Sequence, residues 1–232
     1  MLELGEAEWY GDVPPDELHD LIDAVVPETN RRDALHARLD DVLASKSPTR
    51  GWDLAKVFYS ALLDYSEILS IDFHGTPAAK RLYLNQPLEL EGRFDLVIDG
   101  GTAEHVFNVY QFFKTCHQLT RPGGLMLHTN PFRGWLDHGF YNFNPTFYWD
   151  LAAANNYDVL MMVYAELVPT RMVQLSSREQ IVDMARAGEL GANANLYAVY
   201  RKDGDPPFTV PAQGFYAGAL SDKLVRAWHE LR

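Results

Sequence analysis

Apolar residues along this chain recur in two periods, and their alternation sets the expected fold. Near-continuous apolar runs fall at Met1–Gly5, Ile68–Asp72, Leu82–Asn85, Phe94–Ile98, Leu125–His128, Tyr157–Tyr164 and Ala194–Tyr200. Such short runs, bounded by turn residues, read as seven strands of a buried sheet. Between them, apolar residues spaced by three and four predict helices. Thr102 is the expected cap of one, carrying Val106, Val109, Phe112, Phe113, Cys116 and Leu119. A second covers Thr146 to Asn155. A third follows the capping box Ser176-Ser177-Arg178-Glu179 and carries Ile181, Val182 and Met184. A last short helix is expected around Asp222 to Leu231.

The organising stretch is residues 94–129. Its first strand ends in Asp99-Gly100-Gly101, where the backbone turns sharply. Arg121-Pro122-Gly123-Gly124 stops the following helix and leads into the next strand. This strand–helix–strand unit predicts two parallel neighbours with a right-handed crossover. Ligands of open α/β sheets sit at the carboxyl ends of such strands, here beside residues 99–102 and 128–131.

Residues 12–66 exceed the need of a single crossover, since a complete β-α-β unit takes about 30 residues. Three helical segments fill the excess. Pro14-Pro15-Asp16 opens one, Asn30 is the expected cap of the next, and Asp53 begins the third. Ser45 to Gly51 is the expected exposed loop between the last two. One of these helices is expected to cross over the sheet, the others to form a lid or an oligomer surface.

Composition narrows the classes. With 232 residues, 47% of them hydrophobic, the chain can bury a full core. A formal net charge of −12 disfavours nonspecific binding to nucleic acid or to an anionic membrane. No apolar run is long enough to span a bilayer and no leader is apparent, so a cytoplasmic protein is expected. Cys116, on the apolar face of its helix, reads as a small buried hydrophobe.

The segments FDLVIDGGTAEHVFN and LTRPGGLMLHTNPF resemble strand four, helix D and strand five of class I S-adenosylmethionine-dependent methyltransferases, in their small-molecule branch. The resemblance implies a Rossmann-like α/β fold: a seven-stranded sheet, helices on both faces, a helical insertion at about 12–66, and a last strand antiparallel between strands five and six. The methyltransferase-like domain then spans 1–205. The tail 206–232 is expected to pack on it or on a second copy, which makes a homodimer one expected arrangement. The central strand begins at residue 1, so either it is short or residues precede it.

The resemblance also assigns S-adenosyl-L-methionine as cofactor. Glu3 and Gly5 match the acidic residue and first glycine after strand one, but Glu6-Ala7-Glu8-Trp9-Tyr10-Gly11 follows where the family carries further glycines. Asp72 matches the acidic residue that accepts hydrogen bonds from the cofactor's ribose hydroxyls, a task suited to an acceptor-only carboxylate. Asn85 falls near the adenine position, and Asp99 and Gly100 at the turn after strand four. Residues 130–145 resemble the His-Gly-Phe-Tyr-x-Phe-x-Pro segment of methyltransferases met in sugar and surface-polysaccharide pathways.

That segment is rich in aromatics and joins a strand's carboxyl end to a helix, the usual place for a substrate pocket. Trp135, Phe140 and Tyr141 are the candidate substrate contacts. His138 in the loop and His105 after Glu104 are the candidate general bases, since imidazole titrates near neutrality. His128 and His74 are further candidates at the pocket edge, while His19, His36, His117 and His229 read as surface or packing residues. No metal is expected: Glu104 and His105, adjacent on a helix, should point apart, and no His-x-x-x-His or Cys-x-x-Cys spacing occurs. A serine hydrolase lacks its Gly-x-Ser-x-Gly elbow and a dinucleotide oxidoreductase its glycine fingerprint. The expected activity is transfer of a methyl group to a small molecule, at oxygen, on a sugar or secondary metabolite. The alternative is a methyltransferase-like binding module without catalysis.

Overall fold

Seven strands hydrogen-bond into one mixed sheet in the computed structural model, which describes residues 1–10 and 13–230. They are β1 (Leu2–Leu4), β2 (Leu69–Ile71), β3 (Phe94–Gly100), β4 (Thr120–Arg133), β5 (Tyr157–Leu167), β6 (Thr170–Gln174) and β7 (Ala194–Lys202). Their order is β2-β1-β3-β4-β7-β5-β6. β3 and β4 run parallel, with Asp99 opposite His128 and Gly100 opposite Thr129. β7 lies antiparallel between β4 and β5. The Rossmann-like architecture with a reversed last strand is therefore the one expected. Gly11, at the end of the loop after β1, and Leu231, the expected end of the last helix, lie outside the described residues.

The membership of the sheet differs at two points. Leu82–Asn85 is not a strand; instead Lys80 makes an isolated parallel bridge to Ile71. An unexpected strand, β6, returns alongside β5 with Leu167 opposite Thr170. Pro169 argues against a strand interior, but it sits in the tight turn of this hairpin, where no ladder hydrogen bond is lost.

The chain folds as two compact units. Met1 and residues 3–82 form one, and Leu2 with residues 83–232 the other. In the first, α1 (Glu17–Val25), α2 (Thr29–Ala44) and α3 (Arg50–Leu62) bury a core of their own. Leu18, Ile22, Leu35, Leu39, Leu54 and Val57 form it, at the helical spacing read from the sequence. Two starts shift: Asn30 lies inside α2, and α3 begins before Asp53, whose carboxylate accepts a hydrogen bond from Thr49 Oγ1 at 3.0 Å.

In the second unit, α4 (Val109–Leu119), α5 (Pro145–Asn155), α6 (Arg178–Arg186) and α7 (Asp222–Glu230) accompany β3 to β7. The helix expected from Thr102 is broken. Gly101 takes φ +85°, a conformation that suits glycine. Asp99 Oδ1 then accepts hydrogen bonds from the amides of Thr102 (3.0 Å) and Ala103 (3.1 Å). A short 3-10 turn, Ala103–His105, results, and Asn108 rather than Thr102 caps α4, accepting from the Gln111 amide at 3.2 Å. The capping box at 176–179 is likewise displaced: Ser177 is the N-cap without a side-chain bond, and Gln180 Oε1 accepts from the Ser176 amide at 2.9 Å. Among the described residues, no helix is long and apolar enough to cross a membrane.

Candidate active site

The carboxyl ends of β3 and β4 carry a buried polar chain. Asp99, fully buried, spends Oδ1 on the turn amides and faces His128 Nδ1 with Oδ2 at 3.0 Å. His128, 1% exposed, is thus a partner that fixes Asp99 and not a residue of the pocket edge. Two residues further along β4, Asn130 donates from Nδ2 to Glu104 Oε2 at 3.0 Å and accepts from the Tyr148 hydroxyl.

Glu104 is the centre of the site. It is 1% exposed although it sits in the surface turn Ala103–His105. Burial, and secondarily the Asp99 charge, push its carboxyl up to about 7, against the opposing effect of its own backbone amide and Asn130. Its second oxygen, Oε1, faces His138 Nε2 at 3.7 Å and His105 Nε2 at 3.9 Å. Both gaps exceed hydrogen-bond length. The imidazole rings lie 4.9 Å apart and are 41% and 46% exposed at the side chain. Burial, followed by the His138 charge, lowers the His105 pKa. The expectation that Glu104 and His105 point apart fails, because the helix that would have separated them is replaced by a tighter turn.

A strained loop delivers His138. Trp135 (φ 51°) and Asp137 (φ 58°) are left-handed, a cost of about 1–3 kcal/mol each for residues other than glycine. Trp135 is held there by its amide, which donates to Asn193 Oδ1 at 3.2 Å, and its indole, which donates to the Ala194 carbonyl at 3.3 Å. Gly134 is required, since a Cβ there would stand 2.0 Å from Asn193 Oδ1. The Phe140 amide then donates to the Glu104 carbonyl at 2.7 Å, tying loop to turn. Trp135 stands 5.1 Å from the His138 ring; Phe140 meets Phe107 edge-on at 5.6 Å, and the Tyr141 hydroxyl donates to the Phe107 carbonyl. Of the three aromatic candidates Trp135 stands beside His138, while Phe140 and Tyr141 gather on Phe107. Phe107, 70% exposed, joins them unannounced.

The cofactor candidates divide. In the first unit Glu3 is fully buried, its carboxylate taken by Lys56 Nζ and, at 2.6 Å, by Ser70 Oγ. Gly5 takes φ +90° and donates to the Ile71 carbonyl at 2.8 Å. Asp72 Oδ1 accepts from the amides of His74 (2.6 Å) and Gly75 (3.0 Å), while among the described residues Oδ2 accepts only from the Glu6 amide (2.9 Å). With two lone pairs per oxygen, Oδ2 keeps one acceptor site for a ligand hydroxyl. In the second unit Asn85 is engaged: its Oδ1 accepts from the Asn108 amide at 2.7 Å, so it clips the start of α4. Gly100 is open: among the described residues other than its chain neighbours, no atom lies within 4 Å of where a Cβ would stand. Asp72 in the first unit and Gly100 in the second thus each keep room at a strand end, whereas Glu3, Asn85 and Asp99 are engaged in the turns of their own units.

No family model matches the chain, and no curated protein does. Solved structures do. A 1,6-didemethyltoxoflavin-N1-methyltransferase of Burkholderia thailandensis, with 1,6-didemethyltoxoflavin and S-adenosylhomocysteine bound, is 16% identical over 82% of this chain and 85% of that one (TM-score 0.33). The MccD protein is 10% identical over 74% and 96% (TM-score 0.37). An S-adenosylmethionine-dependent methyltransferase from Clostridium acetobutylicum ATCC 824 is 9% identical over 82% and 98% (TM-score 0.33). Likeness at this level carries no argument about chemistry, which has to come from the side chains.

Proposed function

We propose that the chain is an S-adenosylmethionine-dependent methyltransferase acting on an oxygen of a small molecule, a sugar or secondary metabolite. The observation that carries this reading is the combination of the reversed β7 between β4 and β5 with acidic strand ends at Asp72 and Asp99. S-adenosylmethionine, when bound, supplies a methyl group on a positively charged sulfur. Asp72 Oδ2 is the acceptor for a ribose hydroxyl, and Gly100 leaves room for the ligand at the end of β3. Glu3 and Gly5 hold the strand ends beside Asp72, and Asn85 and Asp99 the turns of the unit that carries Gly100.

Trp135, Phe140 and Tyr141, with Phe107, form an aromatic rim suited to the flat or apolar face of an acceptor. The acceptor gives up its proton against the cluster of Glu104, His105 and His138, the two imidazoles being those nominated by the sequence. Positioning is the main work of such a site.

One observation favours the alternative, a methyltransferase-like binding module. Glu6 reaches across its turn so closely that a Cβ on Gly75 would stand 2.5 Å from Glu6 Oε2, and the Thr76 amide donates to that oxygen at 2.6 Å. The space that glycines leave open elsewhere in the family is here filled by a carboxylate. Calorimetric titration with S-adenosylmethionine and S-adenosylhomocysteine, on wild type and Asp72→Ala, separates the two readings. Micromolar binding, weakened at least tenfold (about 1.4 kcal/mol) by the substitution, is expected of the enzyme. Absence of binding at millimolar ligand would leave the module.

A further inference from the structure

The gap between Glu104 Oε1 and the two imidazoles has the dimensions of an ion site. Ligand bonds of about 2.0–2.2 Å around a tetrahedral zinc ion set its donor atoms roughly 3.3–3.6 Å apart. Here one donor atom from each of Glu104, His105 and His138 lies within 4.8 Å of the others, and the two carboxylate–imidazole distances are 3.7 and 3.9 Å. The imidazoles are half-exposed, so small side-chain rotations close the difference. The carboxylate is the fixed partner: it is buried, and Asn130, itself anchored by Tyr148, holds its other oxygen. An outer hydrogen bond that orients a ligating carboxylate is what a metal site requires of its surroundings. The donor set, two imidazole nitrogens and one carboxylate oxygen, suits a borderline divalent cation and leaves positions free.

We propose that Glu104 Oε1, His105 Nε2 and His138 Nε2 bind one divalent cation of the zinc class, with its open positions turned toward the aromatic rim and an acceptor hydroxyl. A hydroxyl coordinated there loses its proton to solvent more readily, because the cation stabilises the oxyanion. The catalytic part of this inference rests on the methyltransferase reading; the binding of the cation does not. In it His105 and His138 serve as ligands, and coordination replaces an imidazole base.

Metal-stripped protein titrated with Zn²⁺, and separately with Co²⁺ followed by its visible d–d absorption, tests the site. One Zn²⁺ per chain at micromolar affinity or better is expected, with a Co²⁺ spectrum of nitrogen and oxygen ligation. His138→Ala and His105→Ala, both at half-exposed positions, should each weaken binding at least tenfold and leave thermal unfolding of the metal-free protein unchanged. Glu104→Gln should abolish it. His36→Ala, in the stacked His19–His36 pair of the other unit, should leave it intact. Loss with His36→Ala and retention with His138→Ala would overturn the proposal, as would millimolar or unsaturable binding by wild type. S-adenosylhomocysteine titrated into the same samples keeps the two readings apart. Zn²⁺ binding without nucleoside binding supports the cation site and sinks the methyltransferase; nucleoside binding without Zn²⁺ does the reverse.

Discussion

A Cβ placed on Gly139 would stand 3.0 Å from the Glu104 carbonyl oxygen and 3.1 Å from Glu104 Cγ. The loop that carries His138 therefore approaches the Glu104 turn so closely that a side chain at position 139 would require the turn to give way. Gly139→Ala should push the loop outward by a few tenths of an ångström, because the obstacle is backbone and cannot rotate away. We expect a stability loss of about 1 kcal/mol, the low end for an overpacked contact. Affinity for Zn²⁺ or acceptor should fall about tenfold, or about 1.4 kcal/mol, with S-adenosylhomocysteine affinity unaffected. Urea unfolding and paired titrations measure both. Unchanged affinity for Zn²⁺ and acceptor would mean that the approach of Gly139 does not set the position of His138.

Gly100 gives the opposite case. Nothing lies within 4 Å of a Cβ there, and the residue ends β3, where a β-branched side chain is well suited. Gly100→Val should fold with a stability within about 0.5 kcal/mol of wild type. If a nucleoside lies over this strand end, the two added methyl groups occupy its place and binding of S-adenosylhomocysteine falls at least tenfold. A variant that binds as well as wild type would remove Gly100 from the cofactor site.

What the sequence made legible follows from the range of the forces involved. Most strand positions came from local apolar runs such as Phe94–Ile98 and Ala194–Tyr200, whose burial is decided by their own composition, whereas the reversal of the last strand came from the resemblance carried by residues 94–129. The convergence of Glu104 with His138 was not legible, because it depends on Asp99 taking the Thr102 and Ala103 amides and breaking the expected helix. An aspartate three residues before a helix start was the available signal, since such residues compete for turn amides. Asp72 and Asn85 show a further limit. Their type and place were readable, but the Glu6 amide on Asp72 and the Asn108 amide on Asn85 belong to residues distant in sequence. Lys202 and Glu3, ionisable residues with no exposed surface, carry no sequence mark of their burial.

Lys202 tests how such a burial is tolerated. Its ammonium donates to the carbonyls of His117 (2.9 Å) and Thr120 (3.0 Å) and to Asp205 Oδ1 (2.8 Å), so it closes the carboxyl end of α4. A cation is favourable there, where helix carbonyls lack partners. Lys202→Met keeps the aliphatic stem and removes all three donors. Asp205 retains Arg93 at 2.6 Å, but the two carbonyls lose the ammonium that they accept from. We expect destabilisation of about 2–4 kcal/mol, read from the urea midpoint at constant m. A loss below about 1 kcal/mol would mean that water enters and replaces the ammonium.

His117 should make stability depend on pH. Its Nε2 donates to the Pro206 carbonyl at 2.8 Å, and in the neutral ring Nδ1, 2.6 Å from the Tyr157 hydroxyl, is the acceptor. Burial lowers its pKa, as do the Lys202 and Arg93 charges, against the Pro206 carbonyl and Asp205. The folded pKa thus lies below the unfolded value of about 6.5. Above that value both states hold a neutral ring and the contribution is complete. As pH falls through it, the unfolded chain binds the proton first, so stability declines until the lowered folded pKa is passed. His117→Gln removes the titration and keeps a neutral polar side chain. The melting temperature of wild type should therefore fall more steeply than that of the variant on going from pH 7.5 to 5, and the two slopes should agree above about pH 7. Parallel profiles across the whole range would show that the ring titrates alike in the folded and unfolded chain, and a wild type that falls less steeply than the variant would show that the ring is protonated in the fold and that the Tyr157 hydroxyl does not donate to it.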